Sequence, residues 1–212
     1  MLEITPRKLI LGSTSPYRRE LLERLRIPFT VEAPHVDETP LPLETPQQIA
    51  SRLAMSKARA VAAKFPDCVV IGSDQVADLE GQALGKPGNH TRALAQLQTM
   101  RGKVVVFQTA VAVVCQQSGF EQLELAQVKV TFRDLSDAQI EAYLRAETPY
   151  DCAGSAKSEG LGIALLASIE NDDRMKNDLD ADGVNDDYQK KTNTHKQKKG
   201  NKNIPNFNDF RK

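Results

Sequence analysis

A chain of 212 residues, 40% of them apolar, is long enough for one domain or two small ones with a hydrophobic core, and its composition fits a soluble globular protein. Lys and Arg number 28 and so do Asp and Glu, so formal net charge is zero. No global field then draws nucleic acid or a membrane surface, and an anionic substrate must be held by cations placed locally.

Residues 8–12 (KLILG) read as a short buried strand. Ser13-Thr14-Ser15 follows, then Pro16, which suits the first helical position with Ser15 as N-cap. Leu21, Leu22 and Leu25 continue at helical spacing. Residues 33–46, rich in proline and acid, read as a surface loop. Thr45-Pro46-Gln47-Gln48 is a capping box opening a helix to about Phe65. Residues 68–72 (CVVIG) read as a second buried strand ending in Ser73-Asp74-Gln75, and a helix is expected from about Thr91 to about Met100. The valine-rich runs 103–115 and 120–132, joined by a turn at 116–119, predict a long antiparallel hairpin. Ser136-Asp137-Ala138-Gln139 is another capping box, its helix running to about Glu147 and stopped by Pro149. Residues 152–162 form a Gly/Ser-rich stretch, and no internal repeat is visible. The irregular mixture of elements predicts an α/β or α+β domain around a central mixed sheet.

Beyond about Glu170 the composition turns to Asn, Asp and Lys, acidic over 172–187 and basic over 190–202. Such a segment buries too little apolar surface to offset its ordering entropy. The expected division is therefore a folded domain over 1–170 and a disordered polar tail over 171–212. Within the tail, residues 178–189 space their acids as a calcium loop does, with Gly183 at the sixth position. Gln189 stands at the twelfth position, where that loop wants a glutamate, so the stretch reads as a chance match in a solvated acidic segment.

Cys68, Cys115 and Cys152 are odd in number and far apart, neither a zinc spacing nor a disulfide framework. Reduced thiols are expected, and the apolar run at 9–11 is too short for a signal peptide core or a membrane span. A cytoplasmic setting is the expectation.

Four groups of residues carry chemistry. Ser13, Arg18 and Arg19 gather at a helix N-terminus, where partial positive charge and unpaired N–H groups suit a phosphate; plain capping with solvated arginines explains the same residues equally well. Glu38 in a loop and Asp74 after a strand are placed for magnesium and for activating water. Lys57 on a helix, Lys86 in Gly85-Lys86-Pro87 and Lys157 inside a Gly/Ser loop add cations. No histidine sits in these motifs, which argues against a His-based triad or a zinc hydrolase. The residues outline metal-assisted phosphate ester or anhydride chemistry, with no base and no cleavage position assigned.

Five motifs in order then resemble one family: Ser13-Thr14-Ser15-Pro16-Tyr17-Arg18-Arg19, Val36-Asp37-Glu38-Thr39-Pro40, Gly72-Ser73-Asp74-Gln75-Val76, Gly85-Lys86-Pro87, and Cys152-Ala153-Gly154-Ser155-Ala156-Lys157-Ser158-Glu159-Gly160. Together they look like the Maf-type nucleoside triphosphate pyrophosphatases, over about residues 8–169. The resemblance implies the Maf/inosine triphosphatase-like fold, with flanking helices and the long hairpin. It implies cleavage between the α and β phosphates, a divalent cation (magnesium or manganese) on Glu38 and Asp74, and Asp74 as proton acceptor. Ser13, Arg18, Arg19, Lys57, Lys86 and Lys157 are implied to hold the nucleotide. The pyrimidine branch typically has threonine after the aspartate, whereas Gln75 and Glu159 resemble the branch that hydrolyses 7-methyl-GTP. Tyr17 stands where that branch usually has tryptophan, so Tyr17, Gln75 and Glu159 are the specificity candidates. A base made cationic by N7 methylation suits a carboxylate and an aromatic face. The partner implied is a small-molecule nucleotide, without nucleic acid or membrane, in a monomer or a homodimer. Two other functions stay open: a pyrophosphatase for UTP or dTTP, and a nucleotide-binding regulator with weak catalysis. The closing Gly-Leu-Pro motif and last amphipathic helix of the family have no counterpart here.

Overall fold

A computed structural model describes residues 7–157 and 160–171. The compact unit ends at Glu170; of the unit that follows, 171–212, only Asn171 is described, so the readings of a disordered tail and of a chance calcium-loop match lie outside the described residues.

The first strand, β1 (Leu9–Gly12), gives way to α1 (Pro16–Glu23). Ser15 caps α1 by accepting from the Arg18 N–H, and Pro16 sits in its first turn. A short strand that the sequence pattern did not announce, β2 (Phe29–Val31), pairs parallel to β1. The helix α2 (Pro46–Ala62) opens on the expected capping box between Thr45 and Gln48.

The strand after it, β3 (Val69–Leu79), is longer than the sequence suggested. Ser73-Asp74-Gln75 lies inside it rather than at its end. The reason is its partner: β5 (Val104–Cys115) supplies a ladder from Val114 opposite Val70 to Val106 opposite Asp78, which carries β3 straight through the motif. At the end of β3, Glu80 and Gly81 both have positive φ, 54° and 85°, and turn the chain into β4 (Gln82–Leu84). Asn89 caps α3 (His90–Met100). The expected hairpin is β5 with β6 (Phe120–Phe132), paired from Val104 opposite Thr131 to Cys115 opposite Phe120. Its turn is a single 3₁₀ turn, Gln116–Ser118, closed by Gly119 at φ 66°. Next comes α4 (Asp137–Glu147), again with its capping box, and Thr148 in the left-handed region ends it. The last strand, β7 (Leu166–Asn171), lies beside β6.

The sheet runs β2-β1-β3-β5-β6-β7, with β4 on β3. Its first three strands are parallel and β3, β5 and β6 antiparallel, which makes it the mixed sheet of an α/β protein. Two apolar cores cover its faces. One joins α2 (Ile49, Leu53, Val61) to Ile10, Val70, Val76 and Val114. The other joins α3 and α4 (Leu97, Met100, Ile140, Tyr143) to Ala77, Leu79, Val105 and Phe132. Successive strand residues point to opposite faces, so even-numbered β3 residues face α2 and odd-numbered ones face α3 and α4. Among the described residues, no helix is long and apolar enough to cross a membrane. No disulfide links Cys68, Cys115 and Cys152.

Candidate active site

Small residues bring α2 against β3. A Cβ placed on Gly72 would stand 2.4 Å from the Ala54 carbonyl oxygen and 2.5 Å from the Ala58 nitrogen. Ala54 and Ala58 are themselves fully buried. This contact is closer than any side chain permits, and it carries Lys57 onto the strand beside Asp74. The Lys57 ammonium lies 2.6 Å from Asp74 Oδ1 and 2.8 Å from Glu38 Oε1. Lys57 and Asp74 are both buried, whereas Glu38 is exposed on its loop.

Burial sets the electrostatics here. It raises the Asp74 pKa above the ordinary carboxylate value, against the Lys57 hydrogen bond and the charges of Lys57 and Arg18, with Glu38 adding to the rise. On Glu38 burial also acts upward and is the largest single influence. The Lys57 hydrogen bond and the charges of Lys57, Lys86 and Arg18 together outweigh it and hold Glu38 below its usual value. Burial draws Arg18 down, opposed by Asp74 and Glu38. Two carboxylates in one cluster are thus pushed apart, the buried one toward holding a proton and the exposed one toward ionisation.

At the mouth, the buried Ser13 hydroxyl accepts from the Ser15 N–H at 3.1 Å and from Arg18 Nη1 at 3.5 Å. Lys86 is exposed on the loop before α3. Lys157 approaches from the other face: its ammonium is 5.8 Å from the Tyr17 ring centroid and 3.5 Å from Glu147 Oε2. The Tyr17 hydroxyl and the Cys152 sulfur are 4.0 Å apart. Gln75 points away from Asp74, and its amide nitrogen donates to Thr109 Oγ1 at 2.8 Å. A Cβ on Gly154 would lie 3.1 Å from Ala77 Cβ, so the loop carrying Lys157 passes over the same face of β3 as Gln75.

Ser13, Arg18, Glu38, Lys57, Asp74 and Lys86 therefore gather in one cluster, while Lys157 meets Tyr17 and Gln75 meets Thr109 apart from it. Arg19 does not join them; it is exposed and pairs with Glu23 on its own helix at 2.9 Å. Glu159 lies outside the described residues. Sequence reasoning missed Arg52, whose guanidinium grips both oxygens of Glu44 at 2.5 and 2.7 Å and donates to the Thr39 carbonyl at 3.2 Å. It also missed Gln96, Tyr143 and Glu147, which support the Lys157 loop. Nothing in their spacing marks them, since each looks like an ordinary helix residue until the loops are placed.

Among the described residues, no three His, Cys, Asp or Glu side chains converge as a protein cage for a metal. Two carboxylates, Glu38 and Asp74, do converge through Lys57. Carboxylate oxygens are the donors that a hard divalent cation takes, commonly one or two together with substrate phosphates, and here the Lys57 ammonium bridges the pair.

Comparison with known proteins identifies the family. The family model described as "Maf-like protein" matches residues 8–175. A protein of Albidiferax ferrireducens named 7-methyl-GTP pyrophosphatase is 79% identical over 173 residues, 82% of this chain and 87% of that protein. One of the same name from a Polaromonas species is 73% identical over 169 residues, 80% of this chain and 77% of that one. Another from Cupriavidus pinatubonensis is 56% identical over 166 residues, 78% and 83% of the two chains. With its motifs clustered about one buried carboxylate and this match over most of its length, the chain belongs to the family of Maf-like proteins.

Proposed function

We propose that the protein is a nucleoside triphosphate pyrophosphatase, a hydrolase acting on an acid anhydride, with 7-methyl-GTP as substrate. The observation that carries the proposal is the buried Lys57–Asp74 pair at 2.6 Å with Glu38 beside it, under a mouth of arginine and lysine. The names of the relatives supply the base and the bond.

In this reading the triphosphate lies across the N-terminus of α1, held by Ser13, Arg18, Lys86 and Lys157. Glu38 and Asp74 would hold a magnesium or manganese ion, whose chemistry is to neutralise phosphate charge and polarise the anhydride. Asp74, held at 2.6 Å by the Lys57 ammonium, takes the proton of the attacking water. The water oxygen bonds to phosphorus at the α–β bridge, the bridging P–O bond breaks, and the monophosphate and pyrophosphate leave. Lys57 keeps Asp74 in place and faces the negative charge that grows as the bond breaks.

Tyr17 already meets a cation in Lys157, and the same electron-rich face suits a base that carries positive charge. With its nitrogen given to Thr109, Gln75 presents its amide oxygen to a base N–H. Glu159 completes the specificity group. A cytoplasmic setting and a homodimer belong to the same proposal.

The test is a panel of 7-methyl-GTP, GTP, UTP and dTTP with the purified protein and magnesium, read as pyrophosphate released. A clear preference for 7-methyl-GTP is expected. Preference for UTP or dTTP would overturn the base assignment. Binding without pyrophosphate from any of the four would make the protein a nucleotide-binding regulator.

A further inference from the structure

The loop that carries Lys157 has an unusual backbone. Gly154 and Ser155 both have positive φ, 66° and 55°, and Ser155 is fully buried. A serine with a left-handed backbone costs free energy and persists only where its surroundings hold it.

Two helix side chains do the holding. From α3, Gln96 accepts a hydrogen bond from Ser155 Oγ at 2.6 Å, and its amide nitrogen donates to the Gly85 carbonyl at 3.1 Å. A carbonyl only accepts, so the Gln96 amide has one orientation that serves both partners. The same Gly85 carbonyl receives the Gly154 N–H at 3.4 Å. From α4, the Tyr143 hydroxyl donates to the Ser155 carbonyl at 3.2 Å and accepts the Lys157 N–H at 2.9 Å. One residue beyond Pro87, the Gly88 N–H donates to the Tyr150 carbonyl at 2.9 Å. Gly85 immediately precedes Lys86, and Lys157 lies two residues after Ser155. The loops of the two lysines, remote in sequence, are thus joined by the Gln96 side chain in addition to the Gly154–Gly85 backbone bond.

We infer that Gln96, backed by Tyr143, is a positioning residue for substrate: it fixes the Lys157 loop against the Lys86 loop so that both ammonium groups meet one triphosphate together. The inference rests on the proposed function, in which both lysines bind phosphate. Gln96 touches no substrate itself. Its amide does what a rigid strut does for two separate loops, and binding then spends no free energy on ordering them.

The experiment uses the full chain and 7-methyl-GTP. Gln96→Leu keeps the size of the side chain and removes both hydrogen bonds. The Michaelis constant should rise about 5- to 10-fold, the scale of one or two lost neutral hydrogen bonds, with kcat within about 2-fold. A second readout separates positioning from mere stability. In the wild-type background Lys86→Ala and Lys157→Ala should lose affinity non-additively, because each lysine relies on the other's loop. In the Gln96→Leu background that coupling should shrink, with the Gly154–Gly85 backbone bond keeping only the remainder. Tyr143→Phe keeps the buried ring and removes only the hydroxyl, so it repeats the test if Gln96→Leu does not fold. Gln96→Glu, which still accepts from Ser155 but sets a carboxylate oxygen against the Gly85 carbonyl, should raise the Michaelis constant at least as much as leucine does. An unchanged Michaelis constant in Gln96→Leu, or coupling between the lysines that it leaves undiminished, would overturn the inference while leaving the proposed function standing. A wild-type protein that hydrolyses none of the triphosphates would overturn both.

Discussion

Asp74 and Gln75 are neighbours in β3, yet they face opposite ways into surroundings built on different terms. On the Asp74 side the backbone decides the geometry. Gly72 admits α2 to a distance at which Ala54 and Ala58 touch the strand, and Lys57 arrives beside Asp74 with no loop between them. On the Gln75 side the core is made of bulky residues such as Phe132, Tyr143 and Met100, and the functional groups ride on loops above it. Those loops are placed by side-chain hydrogen bonds from Gln96 and Tyr143. In the proposed function, the groups that do chemistry sit where movement is hardest, and those that admit the nucleotide sit where one hydrogen bond can be lost without losing the fold. The two sides should therefore fail differently when cut.

The deepest cut is Asp74→Asn. Removing the proton acceptor should lower turnover about 10²- to 10⁴-fold while nucleotide affinity stays close to wild type. Kinetics at saturating 7-methyl-GTP, beside calorimetric titration with the same nucleotide, would show the split. Near-normal turnover would remove Asp74 from the role of base and leave the α2 side as scaffold only.

Gly72→Ala comes next and acts on the backbone contact itself. Its methyl group meets the backbone of α2, which cannot yield as a flexible side chain does. Overpacking of this kind costs about 1–3 kcal/mol of stability. The melting temperature should fall, and turnover should fall with it because Lys57 moves away from Asp74. Stability lost without any change in kcat would show that the lysine follows the strand even when α2 is displaced.

Much of this division was legible in sequence, but unevenly. The capping boxes at Thr45 and Ser136 fix helix starts through local hydrogen bonds, and both helices begin where those boxes place them. The valine-rich hairpin announces itself by composition and length. The site residues surfaced where a motif set them beside glycine, proline or hydroxyl residues, and Ser13, Arg18, Glu38, Lys57, Asp74 and Lys86 do meet. The extent of β3 was not legible, because what carries the strand past Gly72 is β5, whose paired residues lie 28 to 38 positions further along the chain. Short β2 and β4 carry too few residues for a periodic signal. Arg19 has the same local context as Arg18, and only the direction of the helix decides that one faces Asp74 and the other Glu23. Gln96 and Arg52 have no signal of their own, since a polar helix residue looks solvated until its loop partner is known.

Arg52 gives the finest test of the comparison, because it breaks the pattern. Glu38 belongs to the Asp74 side, yet its loop is held as loops on the other side are, by a side chain. The Arg52 guanidinium spans both oxygens of Glu44 and reaches the Thr39 carbonyl, next to Glu38 in sequence. That hydrogen bond holds the Glu44 carboxyl below its usual pKa, so the pair is charged at neutral pH. Were the side of the sheet to govern, Arg52→Met would damage turnover as Gly72→Ala does. With the manner of holding in control, the result is milder. The methionine keeps the packing of the stem, but the pair is part-buried, so the Glu44 carboxylate left behind loses more than an exposed ion pair would. The expected effect is a rise of about 10-fold in the magnesium concentration giving half-maximal rate, the scale of a lost hydrogen bond to a charged group, with kcat at saturating metal unchanged. A metal titration of the rate decides it. A fall in kcat that excess magnesium does not restore would mean that Arg52 supports Asp74 and Lys57 directly, and that the charged cluster forms one unit with its loop.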